Sequence, residues 1–379
     1  MAHSFLIGNI MVSSEEFLDK IGNISRFLAQ PVASPEVLDF REGAVAFQDV
    51  AGVPKSLIPD YEPIGIGKPM SVEILGLYTG NVPFALFGKP DLLVASAVKA
   101  SETFDAAPRA INQLVKDIED RKYIQPSALT MGCPIVYYTP SLVNETMFCS
   151  FELMVDTLNE KIFQDMSKLF SAAAGIPVFA PGSAYLFAGS ILMGIFGELG
   201  KLLLQGKPFL EDSLSLRFDT PEMPLVLASM VVLYNDKDKS EFESSYSTGL
   251  VGQPPKSRIA MLHRSTKAEY KGDAPYIIIS LDGRKRSNLD EFAPKLASAA
   301  LLEQFYQESG TTGQVVNALG SAMELYNDFG YHQKADKIRK QIEALDPNSE
   351  SYKKEKETLE KVLSAYAGNI RNELFKNNL

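Results

Sequence analysis

From Leu169 to Gly197 the chain carries no charged residue, and the run contains most of its most apolar stretch, PGSAYLFAGSILMGIFGELGKLLL, residues 181–204. An uncharged run of this length has two outcomes: it crosses a bilayer, for which about 20 residues suffice, or it is buried as core. The composition weighs against a constitutive span. Val178, Phe179, Leu186, Phe187, Ile191, Leu192, Ile195 and Phe196 each favour insertion by about 0.3–0.6 kcal/mol. Much of the rest is Gly, Ser, Pro and Ala, and extension to Leu204 brings in Glu198 and Lys201, each costing about 2.5–3.5 kcal/mol near a helix centre. The terms nearly cancel. Residues 157–173 precede the run with an apolar stripe of Ile162, Met166, Leu169 and Phe170. The sequence therefore predicts an apolar helical hairpin over 157–205, buried in a folded body. Ser190, Gly194 and Gly197 fall at i, i+4 and i+7, which allows close approach by a helix in a bilayer or by a sheet in a core. With Phe187, Ile191 and Ile195 they are the surface such a hairpin would offer to a membrane or partner on leaving the core.

The hairpin is flanked by strand signals. Gly67-Lys68-Pro69, Gly88-Lys89-Pro90 and Gly206-Lys207-Pro208 each precede a strand-like run: MSVEILGLY, DLLVASAVK and FLEDSLSLRF. Gly makes the turn and Pro, lacking a ladder donor, suits a strand entry. Pro follows Lys each time, so no phosphate-cradling loop is formed. Further strands are predicted at 135–138, 147–155, 225–234, 258–263 and 276–282. Helices are predicted at 14–29, 106–120 and 289–307, with Asn288 or Ser287 able to cap the last. Strands and helices do not alternate, which argues against a doubly wound parallel sheet. The expected fold is α+β: a mostly antiparallel or mixed sheet, or a sandwich, carrying the inserted hairpin in a body spanning 1–311. The polar stretch 236–257, DKDKSEFESSYSTGLVGQPPKS, is expected to be a mobile loop open to proteolysis.

A helical appendage, 312–379, completes the chain, with three predicted helices. Their stripes are Val315, Val316, Leu319, Met323 and Tyr326; then Ala335, Ile338, Ile342 and Leu345; then Leu359, Val362, Leu363, Tyr366, Ile370 and Leu374. Leu319-Gly320, Gly330, Tyr331, Ala335, Ala344 and Asp346-Pro347 make the segment 312–347 resemble one tetratricopeptide repeat, with Met323 where an aromatic is usual. One repeat cannot bury its own face. The resemblance implies a helical hairpin used for protein contacts, with Tyr331, Ile338, Ile342, Tyr366 and Ile370 as the interaction residues.

Net charge is −10 over 379 residues. Residues 1–330 hold 27 Lys+Arg against 39 Asp+Glu, and 331–379 hold 10 against 8. No basic stripe appears, so nucleic acid is not an expected partner. The chain has two cysteines, Cys133 and Cys149, too few for a disulfide scaffold. The first 20 residues lack a basic n-region followed by a long apolar run, so no signal peptide is read and a cytoplasmic location with free thiols is expected.

No HExxH, GxSxG, GxGxxG or paired metal-ligand spacing occurs, and no metal or cofactor is expected. Among three histidines, His263 is the one that could serve Cys133 as a base, a weak catalytic pair. Arg284, Lys285 and Arg286 follow Asp282-Gly283 on a predicted tight turn, a candidate anion site for a phosphate, an anionic lipid headgroup or an acidic partner. The leading expectation is a non-catalytic protein-interaction or adaptor protein, or a regulated partner in an assembly, acting through its C-terminal helices. It would bind protein and could self-associate. The alternatives are a latent membrane-acting effector, in which hairpin 157–205 is unmasked on an anionic membrane by proteolysis or partner release, and an enzyme with an unrecognised site.

Overall fold

The computed structural model describes residues 2–7, 10–13, 61–62, 64–83, 89–100, 108–144, 146–172, 177–180, 202, 206–218, 228–253, 257–289, 292, 296, 313–347, 349 and 351–376. The strands are β1 (Ala2–Ile7), β2 (Ile10–Ser13), β3 (Met70–Tyr78), β4 (Asp91–Lys99), β5 (Arg109–Val115), β6 (Tyr123–Ile124), β7 (Ile135–Thr139), β8 (Thr146–Asp156), β9 (Val178–Ala180), β10 (Leu210–Arg217), β11 (Ala228–Tyr234), β12 (Tyr246–Val251), β13 (Arg258–His263) and β14 (Tyr276–Asp282). The helices are α1 (Glu160–Ala172), α2 (Lys239–Ser245), α3 (Gly313–Glu343), α4 (Tyr352–Asn369) and α5 (Glu373–Lys376).

The fold is α+β with antiparallel sheets. One sheet runs β2-β1-β11-β14-β3, with β6 and β7 sharing the far edge of β3; the other runs β10-β8-β4-β5-β9. Each Gly-Lys-Pro leads into a strand: β3, β4 and β10. The main core unites side chains of both sheets with Ile162, Phe163, Met166 and Phe170 of α1. Strand β10 alternates buried and exposed along all eight residues, the signature of a half-buried strand. Strand β14 is buried throughout because both of its faces are covered. Ile277, Ile279 and Leu281 enter the main core, whereas Tyr276 and Ile278 enter a second one. That second core lies on the opposite face of the first sheet, under α2 and the β12–β13 hairpin, and is largely aromatic. Phe242 stands 5.2 Å from Tyr234 and 5.0 Å from Tyr270, with Tyr246 also 5.0 Å from Tyr270.

Four expectations are corrected. Residues 109–115 are strand, not helix. Leu93 pairs with Leu114 and Ala95 with Ile111, so Asn112 is an extra residue, a bulge. The bulge puts Ile111 and Leu114 on one face, a spacing that a helix also produces. The stretch 236–257 is not a loop as far as Val251: it forms a 3-10 turn, α2 and β12, because Phe242 plugs the aromatic core. Within the hairpin predicted as helical over 157–205, residues 178–180 are strand β9, which pairs Ala180 with Arg109. Finally, the two helices expected across 314–345 are one helix of 31 residues, α3. Gly330 continues it, although Tyr331 and its neighbours change the phase of the apolar stripe. The turn that the repeat resemblance would place there is not formed.

The first arm of the predicted hairpin is α1. Phe187, Ser190, Ile191, Gly194, Ile195 and Gly197 lie outside the described residues, as does the helix expected at 14–29. Of the helix expected at 289–307, Leu289 ends a 3-10 turn, Phe292 and Leu296 are helical, and all three are buried. Among the described residues no helix is long and apolar enough to cross a membrane.

Candidate functional site

The arginine turn follows β14 and closes over the polar end of the first sheet. Ser71 and Glu73 of β3 stand opposite Asp282 and Ser280 of β14, and all four are buried. A buried carboxylate is tolerated when paired and hydrogen-bonded, and the turn supplies the partners. The Asp282 carboxylate accepts from the backbone N–H of Glu62 at 3.3 Å, from that of Arg284 at 3.0 Å and from Arg284 Nε at 2.5 Å. Arg286 pairs with Glu73, and its backbone N–H donates to Tyr138 Oη at 3.0 Å. The Ser71 hydroxyl donates to Glu73 Oε1 at 3.0 Å, with a second contact to the Asp282 carbonyl at 3.3 Å. Burial, with Asp282 beside it, holds the Tyr61 hydroxyl well above its ordinary value.

This arrangement is a closed ion-pair network. Arg284 and Arg286 are half-buried and each already has a carboxylate; Lys285 is the exposed member of the three. An anion arriving at Arg284 or Arg286 would compete with a buried intrachain carboxylate, and breaking such a pair costs about 3–5 kcal/mol. The network's chemistry is neutralisation, and it pins residues 61–62 and 283–286 to the sheet. Asp282 next to Arg284 was visible in the sequence, but the pairing of Glu73 with Arg286, 213 residues apart, had no local signal.

Cys133 and His263 are not brought together. Cys133 belongs to the main core, and its thiol is pushed up to about 12 by burial. His263 ends β13 in the hairpin over the second core, with Nδ1 3.0 Å from Ser265 Oγ and its ring 5.3 Å from Tyr246. The first sheet separates the two. A buried thiol with a raised pKa is a poor nucleophile. Cys149 is also free and buried, its thiol likewise pushed up to about 12 by burial. Among the described residues no group of His, Cys, Asp and Glu could hold a metal ion.

The C-terminal helices form the other candidate. α3 and α4 pair along a seam in which Tyr331 and Tyr366 lie 6.3 Å apart, with Lys334 Nζ 5.8 Å and 5.7 Å from the two rings. Asp328, buried, accepts from the N–H of Arg371 at 3.2 Å and of Asn372 at 2.7 Å, just ahead of α5. Tyr331 and Ile370 are buried, and Ile338, Ile342 and Tyr366 are half-buried. These five positions, named in the sequence as interaction residues, are thus at least partly enclosed within the folded chain. Lys334 thus flanks this seam, whereas the side of α3 away from it carries Phe329, 45% exposed and 6.1 Å from Phe375, and exposed Gln333, Lys337 and Lys340. Phe329, Gln333, Lys337 and Lys340 recur at i, i+4, i+8 and i+11, one face of a helix.

No family model matches this chain, and neither a curated protein nor a solved structure matches it.

Proposed function

We propose that this chain is a non-catalytic protein-interaction module, an adaptor or regulated partner of an assembly, and that α3 is its contacting element. The observation that carries this reading is the outward face of α3: one exposed aromatic followed by lysines at successive turns, on a helix whose other side is occupied by α4. Exposed aromatics are over-represented as binding anchors, and a cationic face speeds encounter with an acidic partner. The acidic body and mildly basic tail of the sequence fit that division. Neutralised carboxylates at the arginine turn and the separation of Cys133 from His263 leave neither of the candidates named in the sequence as an assembled catalytic group, which supports binding over chemistry.

The test is a photo-crosslinker placed at Gln333 in the full chain, exposed to an extract of the cells that make it. A discrete protein adduct is expected, reduced at least tenfold by Lys337→Glu and Lys340→Glu together. An adduct pattern indifferent to that charge reversal, or adducts to lipid alone, would overturn the reading.

A further inference from the structure

The short helix α5 is held in place by three residues of α3. The Asp328 carboxylate accepts from the N–H groups just ahead of it, and His332 Nδ1 donates to the Phe375 carbonyl at 3.1 Å. The rings of Phe329 and His332 lie 6.1 and 5.8 Å from that of Phe375. Half-buried Phe375 is thereby fixed beside exposed Phe329. Two rings side by side make an apolar patch on which a large side chain of another molecule can seat, and such anchors carry most of the energy of an interface.

The charges lie to one side of this patch. Exposed Lys337 and Lys340 follow Phe329 on the same face, about 12 and 16 Å along the axis at 1.5 Å per residue. Asp336 and Glu343 share that face; Asp336 is engaged by Arg339 and Lys340, and Glu343 is exposed. A uniformly anionic surface would gain at the lysines and lose at Glu343. A protein segment can set a carboxylate opposite each lysine and none opposite Glu343. Lys340 is largely exposed in its pair with Asp336, and such surface pairs yield readily to a new partner. Lys337 and Lys340 stand about 4.5 Å apart along the axis, close to one turn of a facing helix and short of the about 7 Å between same-face residues of a strand. A helix also offers no unpaired backbone edge to which a strand could add.

We infer that the occupant of this face is an acidic amphipathic helix of a partner protein, with one large apolar side chain seated on Phe329 and Phe375 and carboxylates opposite Lys337 and Lys340. The inference rests on the reading of α3 as the contacting element and names the chemistry which that element takes.

The probe is a fluorescein-labelled, alanine-based helical peptide with a central tryptophan. Glutamates stand on either side of it at the spacing of Lys337 and Lys340 from Phe329, so that both directions of packing are served. It is titrated into the full chain and followed by fluorescence anisotropy. Saturable binding is expected, weakened about tenfold by Phe329→Ser and about tenfold by Lys337→Glu with Lys340→Glu. The same peptide with lysine in place of glutamate should ignore the parent chain and bind the charge-reversed one, a rescue that a misfolded arm would not give. No binding of the glutamate peptide, equal binding of the two peptides, or failure of the exchange overturns the inference. Vesicles of phosphatidylserine and phosphatidylcholine are the rival surface: if they displace the peptide and need Phe329 equally, the face belongs to a membrane and the inference falls. A protein adduct at Gln333 without peptide binding removes this class of partner and leaves the interaction reading standing; absence of both removes both.

Discussion

Gly76 lies in the middle of β3, where a residue without a side chain is normally a weakness. Its backbone is not in the left-handed region, so conformational freedom is not the reason for it. Space is. A Cβ there would stand 1.9 Å from Tyr123 Oη, 2.4 Å from Cζ and 3.1 Å from Cε1. Tyr123 crosses above the glycine to donate to the Ile259 carbonyl at 2.6 Å, and its ring carries the Arg258 guanidinium 4.1 Å from the ring centre. Gly76→Ala must push that ring away. The overpacking costs about 1–3 kcal/mol, and losing the tyrosine hydrogen bond adds about 0.5–1.5 kcal/mol. A loss of about 2–4 kcal/mol is expected in urea unfolding. The three nearest atoms all belong to Tyr123, so a double-mutant cycle isolates the cause. In a Tyr123→Ala background the alanine at 76 should cost almost nothing, giving a coupling of about 2–4 kcal/mol, the whole of the loss. An equal cost in both backgrounds would refute the steric argument and point to a backbone demand instead.

Two further outcomes follow from burial. Neither Cys133 nor Cys149 should react with a thiol-specific reagent at about pH 8, where an ordinary thiol is partly ionised; both should react in denaturant, and a fast thiol in the native chain would contradict their burial. Glu152 pairs with Arg109 at 2.8 Å, yet burial outweighs that arginine and holds the carboxyl above its ordinary value. A raised acid contributes stability that is present below its unfolded pKa and is lost as pH rises through the folded pKa. Relative to the parent, Glu152→Gln should therefore be least destabilised at the upper end of urea unfolding series between about pH 4 and 7. A gap that widens with pH would mean that the arginine, not burial, dominates.

The body was legible where one period governs. Residues 70–78, 91–99, 258–263 and 276–282 read as strands from alternation or continuous apolarity, and their boundaries agree with β3, β4, β13 and β14. Legibility failed where a local irregularity imitated another period, as the Asn112 bulge did. It failed again where a few residues decide a polar segment: Phe242 and Tyr246 convert 239–251 from a loop into part of a core, but their weight appears only once Tyr234 and Tyr270 are brought beside them. The arginine turn shows the same limit in charge. Arg286 read as a free cation because Glu73 is remote in sequence and adjacent only across the sheet.

The tail illustrates a subtler failure. Positions 315, 316, 319, 323 and 326 follow one helical phase, and 328, 331, 335, 338 and 342 follow another, turned by about 130°. Two phases in a row look like two helices with a turn at Gly330. A continuous helix satisfies the same pattern by keeping the phases on different sides, and α3 does so: its second phase faces α4 while Phe329 and Lys337 lie away from it. A helix that only had to close a hairpin would need one stripe. The second phase is taken by α4, and the side away from it, with Phe329, Lys337 and Lys340, is the one that charge reversal at Lys337 and Lys340 examines directly.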